Sequence, residues 1–336
     1  MDRRRVLPAI AAAIWGLALA LAAPSAAGGI DVTFFVTSDS HYEAVERLDR
    51  NGRDLDTIRQ MNVLAGQPWP ERLGRGAIGK PQGVLVLGDL VDDGDRKGET
   101  AGQWKHFVKQ FGLDGKDGML RYPAMEGWGN HDGPPAGRDK NGFSVQAEIQ
   151  RRNQARRRLG PVQNVSQNGL HYSWDWGGVH FVQLNLYPSD KPHPRTKYNP
   201  VWHDPQQALS FLVADLKKEV GPGGRPVVLA SHYGFDCDWW QPEEMQSVYD
   251  ALRDYRVVLY LHGHTGTKVY SWKPEGREKA LDVINTGQTE VGFFVVQITG
   301  DRVRAAYRVK DVRGADWDGT WTWQHFLDRR LQEPLQ

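Results

Sequence analysis

Arg121-Tyr122-Pro123-Ala124-Met125-Glu126-Gly127-Trp128-Gly129-Asn130-His131-Asp132 is the stretch on which the reading of this chain turns. A short strand over residues 121–126 runs into an amide, an imidazole and a carboxylate. The same grammar recurs on both sides. Val32-Thr33-Phe34-Phe35-Val36-Thr37 reads as a buried strand and ends in Ser38-Asp39-Ser40-His41. Val84-Leu85-Val86-Leu87 ends in Gly88-Asp89. Pro226-Val227-Val228-Leu229-Ala230 ends in Ser231-His232, and Val257-Val258-Leu259-Tyr260-Leu261 ends in His262-Gly263-His264. In an open α/β sheet, functional groups gather outside the carboxyl ends of the strands. Asp39, His41, Asp89, Asn130, His131, His232, His262 and His264 are therefore expected to converge, although they lie far apart in sequence.

Between these strands, apolar spacing predicts helices over 54–64, 99–111, 144–158, 205–220 and 243–254. Residues 171–182 read as a hairpin turning at Gly177-Gly178, and 267 to about 310 alternate like antiparallel strands. Residues 66–82 and 188–204 read as loops, and no linker divides the chain. One α/β domain over residues 28–336 is expected. With 25% charged and 40% hydrophobic residues, collagen-like, coiled-coil and disordered classes are excluded. A net charge of +1 argues against nucleic-acid binding driven by charge. The lone Cys237 makes no internal disulfide and excludes a thiolate metal cluster.

Residues 1–27 carry Arg3-Arg4-Arg5, an apolar stretch over 6–23 and a small-residue end at Ser25-Ala26-Ala27. That pattern predicts a secretory signal peptide cut after Ala27, with a start that resembles a twin-arginine signal. Its apolar length is marginal for a span, so no stable membrane span is expected after processing. The expected location is periplasmic or secreted.

Imidazoles with carboxylates and an amide suit Zn, Fe, Mn or Ni. Six donors (Asp39, His41, Asp89, Asn130, His232 and His264) are too many for one open tetrahedral site. They suit two ions that share a carboxylate. Asp39-Ser40-His41, Gly88-Asp89-Leu90-Val91-Asp92, Gly129-Asn130-His131-Asp132, His232 and Gly263-His264, in this order, resemble the calcineurin-like metallophosphoesterase superfamily. The resemblance implies a four-layer α/β/β/α sandwich of two mixed sheets, with the metals at the strand ends. It implies that Asp39 and His41 hold the first metal and that Asp89 bridges. Asn130, His232 and His264 would complete the second. His131 would act on the leaving group, with Asp92 orienting it. The strands after 267 would supply the second sheet.

One departure from that pattern is Gly266, where the last motif of the superfamily usually carries a histidine; His262 is a spare imidazole nearby. The expected activity is hydrolysis of a small phosphorylated substrate at a dinuclear centre, leaning to a phosphomonoester. A phosphodiesterase, or a catalytically silent metal- or phosphate-binding member, is the alternative. The lean rests on aromatic loops around 174–202 and 235–240, expected to bound the pocket. His171, His180, His193 and His203 read as structural or surface residues, and the Arg151-Arg152 and Arg156-Arg157-Arg158 cluster as a solvated helix face.

Overall fold

The continuous apolar runs become strands buried on both faces. The computed structural model describes residues 29–45, 47–192, 199–312, 317–331 and 333–335. The expected signal peptide and His193 lie outside the described residues. In chain order the strands are β1 (Asp31–Thr37), β2 (Val84–Leu87), β3 (Ala124–Gly127), β4 (Val162–Val165), β5 (Tyr172–Trp176), β6 (Val179–Gln183), β7 (Val227–Ala230), β8 (Val257–His262), β9 (Thr267–Trp272), β10 (Leu281–Thr286), β11 (Gly292–Thr299), β12 (Arg302–Val312) and β13 (Trp317–Arg330). The helices are α1 (Arg50–Val63), α2 (Thr100–Gln110), α3 (Val145–Leu159), α4 (Ala208–Asp215) and α5 (Pro242–Leu252).

One sheet runs β13-β12-β11-β1-β2-β3 and the other β4-β5-β6-β7-β8-β10-β9. Both are mixed. β1, β2 and β3 are parallel, while β1 meets β11 antiparallel. β6, β7, β8 and β10 are parallel, flanked by antiparallel β5 and β9. Alternate side chains of each strand face opposite layers. Phe34 and Val36 of β1 join Phe181, Val228, Leu259 and Ile284 in a core between the sheets. Phe34 meets Phe181 edge-on at 5.1 Å, which fixes the contact between the two sheets. Phe35 and Val84 face the other way, into a core with Ile58, Phe107 and Ile149 of α1, α2 and α3. On the far side Leu229 packs with Leu212 of α4 and Val248 of α5. These are the four layers α/β/β/α.

The expectation for the tail needs correction. It does not form the second sheet alone. β9 and β10 join β8, with β10 parallel to it, and β11 to β13 return to β1. The apolar run of β11, buried over Gly292–Ile298, needs cover on both faces and finds it beside β1. β4 and β13 were not expected, since one is four residues long and the other is a largely polar edge. The hairpin turns at Gly177 and Gly178, whose φ values of 53° and 81° are those of a primed turn.

Candidate metal centre

Past β1 and β2 the chain keeps pairing, and this places the first donors. Asp39 N–H donates to Gly88 O and His41 N–H to Asp89 O, each at 3.0 Å. Asp39, His41, Asp89 and His264 all have left-handed φ, at 53°, 45°, 51° and 70°. Such non-glycine conformations cost about 1–3 kcal/mol each and cluster at functional sites. The motif glycines explain themselves by close approach. A Cβ at Gly129 would stand 2.6 Å from the Asp89 nitrogen and 2.8 Å from His232 Cδ2. One at Gly263 would stand 2.6 Å from Asp39 Oδ2. Without side chains, the ends of β3 and β8 press directly onto the carboxylates. His264 N–H then donates to Asp39 Oδ2 at 3.0 Å, and His131 N–H to Asp89 Oδ1 at 2.8 Å.

Asp89 Oδ2 lies 3.2 Å from His232 Nε2 and 3.7 Å from His41 Nε2. His41 Nε2 is 3.8 Å from Asp39 Oδ1, and His232 Nε2 is 3.1 Å from Asn130 Oδ1. Two groups have their donor atoms within 4.8 Å of one another: His41, Asp89 and His131, and Asp89, His232 and His264. Asp89 belongs to both. An ion about 2.0–2.2 Å from each donor sets neighbouring donors roughly 3.0–3.6 Å apart; the two spacings at His232 fall in that range and the two at His41 slightly above it. The buried His41 Nδ1, on the ring side away from the carboxylates, has no hydrogen-bond partner among the described residues. His232 donates Nδ1–H to Leu87 O at 2.8 Å, which turns Nε2 to the centre, the usual outer bond of a ligating histidine.

Charge is arranged to match. Burial raises the Asp89 pKa, but the His232 charge and its hydrogen bond hold the carboxyl far below its usual range. Burial likewise pulls His232 down, yet Asp89 carries it up to about 9. His264 is lowered to about 4 by burial and then by the His232 charge, so its lone pair is free for a cation. Asp132, whose role the sequence did not suggest, braces the site. Its buried carboxylate accepts from Leu90, Val91 and Gly129 N–H at 2.8, 3.1 and 2.7 Å. Burial, then the Asp89 charge, pushes it up to about 7.

Asp39, His41, Asp89, Asn130, His131, His232 and His264 thus come together. Asp92 does not take its expected place. His131 Nδ1 bonds the main-chain carbonyl of Asp92 at 2.7 Å, while the carboxylate faces Arg50 and Arg96 at 3.4 and 3.3 Å. His262 turns away, with Nε2 on Tyr270 OH at 3.0 Å and Nδ1 on Gly263 O at 2.9 Å. His171 and His180 are fully buried and bonded within the fold. His203 bonds Tyr233 OH at 2.9 Å. The arginine cluster is also corrected in part: Arg152 and Arg156 turn inward to the buried Glu126, whose charge needs partners.

An open cleft of about 310 Å³ lies over the donors. Asp39, His41, Asp89, His131 and His264 form its floor. Gly266, Thr267, Gly287, Gln288 and Val291 complete its lining. Among the described residues no aromatic side chain of the expected rim lines this cleft: Trp239 lies 5.4 Å from the His264 ring, and Trp174 and Trp240 are buried. Gln288 and Val291 carried no motif. Strand pairing brings them in, through Ser38 with Gln288 and Thr289 N–H on Ser38 O at 2.8 Å.

The calcineurin-like phosphoesterase family matches residues 32–267, and the chain belongs to it. That family is one of metal-dependent phosphoesterases. Among solved structures it is similar to purple acid phosphatase PPD1 from yellow lupin (Lupinus luteus) seeds, at 11% identity and a TM-score of 0.52, over 86% of this chain and 53% of that one. It is also similar to PhoD, at 14% identity and a TM-score of 0.50, over 91% of this chain and 72% of that one. The chain spans about half the length of the lupin phosphatase. These likenesses show the fold. No curated protein sequence matches the chain.

Proposed function

We propose that the chain is an exported phosphomonoesterase with a dinuclear centre, acting on a small phosphorylated substrate. The observation that carries the dinuclear reading is Asp89, the one carboxylate common to both donor groups. Asp39, His41 and Asp89 would hold one ion, with His131, which falls within the first donor group, kept for the leaving oxygen, and Asp89, Asn130, His232 and His264 would hold the other. Nitrogen and oxygen donors without thiolate fit Mn, Fe, Zn or Ni. Bound there, such ions act as Lewis acids toward a phosphoryl oxygen and make a water acidic enough to attack near neutral pH.

The chain's own residues supply the rest. His131 stands on the exposed side of the floor, its ring 4.6 Å from that of His41. Its Nδ1–H donates to the Asp92 carbonyl, which aims Nε2 at the leaving oxygen; Nε2, once it has taken a proton from water, can pass that proton to the leaving oxygen. Gln288, in the lining of the cleft, offers amide hydrogens. A cleft of about 310 Å³ is near the small end of ligand sites, which favours a compact monoester. The export signal over residues 1–27 supports a periplasmic or secreted place of work.

The test is assay of the chelated and reconstituted chain with p-nitrophenyl phosphate and bis(p-nitrophenyl) phosphate, beside elemental analysis. The monoester should be preferred, with two ions bound. A preference for the diester overturns the monoester reading, and full activity with a single ion per chain overturns the dinuclear one.

A further inference from the structure

We propose that Arg50 is a positioning residue that ties together two segments of chain lining the cleft; the inference rests on the phosphoesterase reading above. Arg50 opens α1, and its side chain is 15% exposed. Nη1 lies 3.4 Å from Asp92 Oδ1, and Nε lies 3.6 Å from Glu290 Oε1. What those two carboxylates carry gives the guanidinium its place in the reaction. The main-chain carbonyl of Asp92 holds His131 Nδ1 at 2.7 Å. Glu290 sits in the turn between β10 and β11, where Val291 N–H closes back on Gln288 O at 3.1 Å. Gln288 and Val291 line the same cleft as His131.

Each carboxylate has a second cation behind it. Asp92 Oδ2 meets Arg96 at 3.3 Å and Glu290 Oε2 meets Arg53 at 2.6 Å. Arg96, Asp92, Arg50, Glu290 and Arg53 thus form an alternating run beside the cleft, with Arg50 the only member that touches both halves. A planar guanidinium can address two carboxylates through different nitrogens; an ammonium is a point charge and cannot keep both directions. The Asp92 and Glu290 side chains are 24% and 12% exposed, so the pairs are less screened than surface pairs.

The two arms act on different kinetic terms. Through Asp92, Arg50 sets the imidazole that serves the leaving oxygen, an interaction made in the transition state, so its loss lowers kcat. Through Glu290 it sets the wall that meets bound substrate, so loss of that arm alone raises KM. The experiment compares Arg50→Ala, Arg50→Lys, Glu290→Gln and the double variant R50A/E290Q, with reconstituted full chain, p-nitrophenyl phosphate and elemental analysis.

Arg50→Ala should lower kcat about threefold to tenfold with unchanged ion content, and raise KM. Glu290→Gln should raise KM about threefold or more with kcat within about twofold of wild type. Arg50→Lys should recover part of kcat. The KM of the double variant should match that of Arg50→Ala, because the shared arm can be lost only once. Folded Arg50→Ala with kcat and KM within about twofold of wild type overturns the proposal. So does a double variant whose KM effect is the product of the single effects. If Arg50→Ala fails to fold, the kcat of Arg50→Lys and the KM of Glu290→Gln decide by the same thresholds. A wild-type chain that binds metal yet turns over neither p-nitrophenyl phosphate nor the bis-ester overturns the phosphoesterase reading itself, and this inference with it.

Discussion

His131 reaches Asp92 through the main chain: its Nδ1 is 2.7 Å from the Asp92 carbonyl oxygen, while the Asp92 carboxylate turns to Arg50 and Arg96. A carbonyl is an acceptor that never changes charge, so it fixes the imidazole tautomer without adding a negative charge beside it.

Asp92→Asn should therefore cost less than about tenfold in kcat, whereas His131→Ala should cost about 100-fold or more. Steady-state kinetics with p-nitrophenyl phosphate compares the two. Equal losses would show that the carboxylate, not the carbonyl, serves His131.

Asp89 belongs to both donor groups, so its removal should empty both sites. Asp89→Ala is expected to lose nearly all bound metal, and His264→Ala only the ion of its own group. Elemental analysis after dialysis reads the difference. Asp89→Ala that retains the ion content of the native chain would contradict the shared role.

Gly129→Ala puts a methyl group against the Asp89 nitrogen and His232. The cost should be about 1–3 kcal/mol in denaturant unfolding. Metal binding should also weaken, because the atoms displaced are donors and their supports. A variant as stable as wild type would mean that β3 can move away freely.

His180 is fully buried between Asp175 and Asp215, at 2.8 and 2.9 Å. Burial pulls its pKa down, but the hydrogen bonds to the two carboxylates raise it above 6.5. A folded-state pKa above the unfolded value gives stability that is complete below about pH 6.5 and is lost as pH rises through the folded value. Thermal melts across alkaline pH should fall for the native chain and stay flatter for His180→Gln. Parallel curves would remove His180 as the cause.

The sandwich and the floor of the cleft were legible because buried parallel strands are continuous apolar runs, and their polar ends stand out against them. Val84–Leu87 followed by Gly88-Asp89 is such a case. What was not legible depends on atoms that sequence leaves open. The spacing of Asp92 from Asp89 does not say whether its carboxylate or its carbonyl meets His131; Gly94 N–H on His131 O at 2.7 Å fixes that turn. Gln288, Glu290 and Arg50 belong to no strand-end cluster, and only the pairing of Ser38 with Gln288 and the start of α1 bring them to the cleft. Glu126 made Arg152 and Arg156 interior residues, which a helix pattern rich in arginine conceals.

The left-handed turns at Asp39, His41, Asp89 and His264 are anchored to neighbouring main chain and to two packed sheets. The cage is therefore built by folding rather than by its guests. Small zinc modules collapse when stripped because the ion is their core. Here the anchors are main chain and packed sheets, so removal of a bound cation should leave the scaffold standing, ready to take up another.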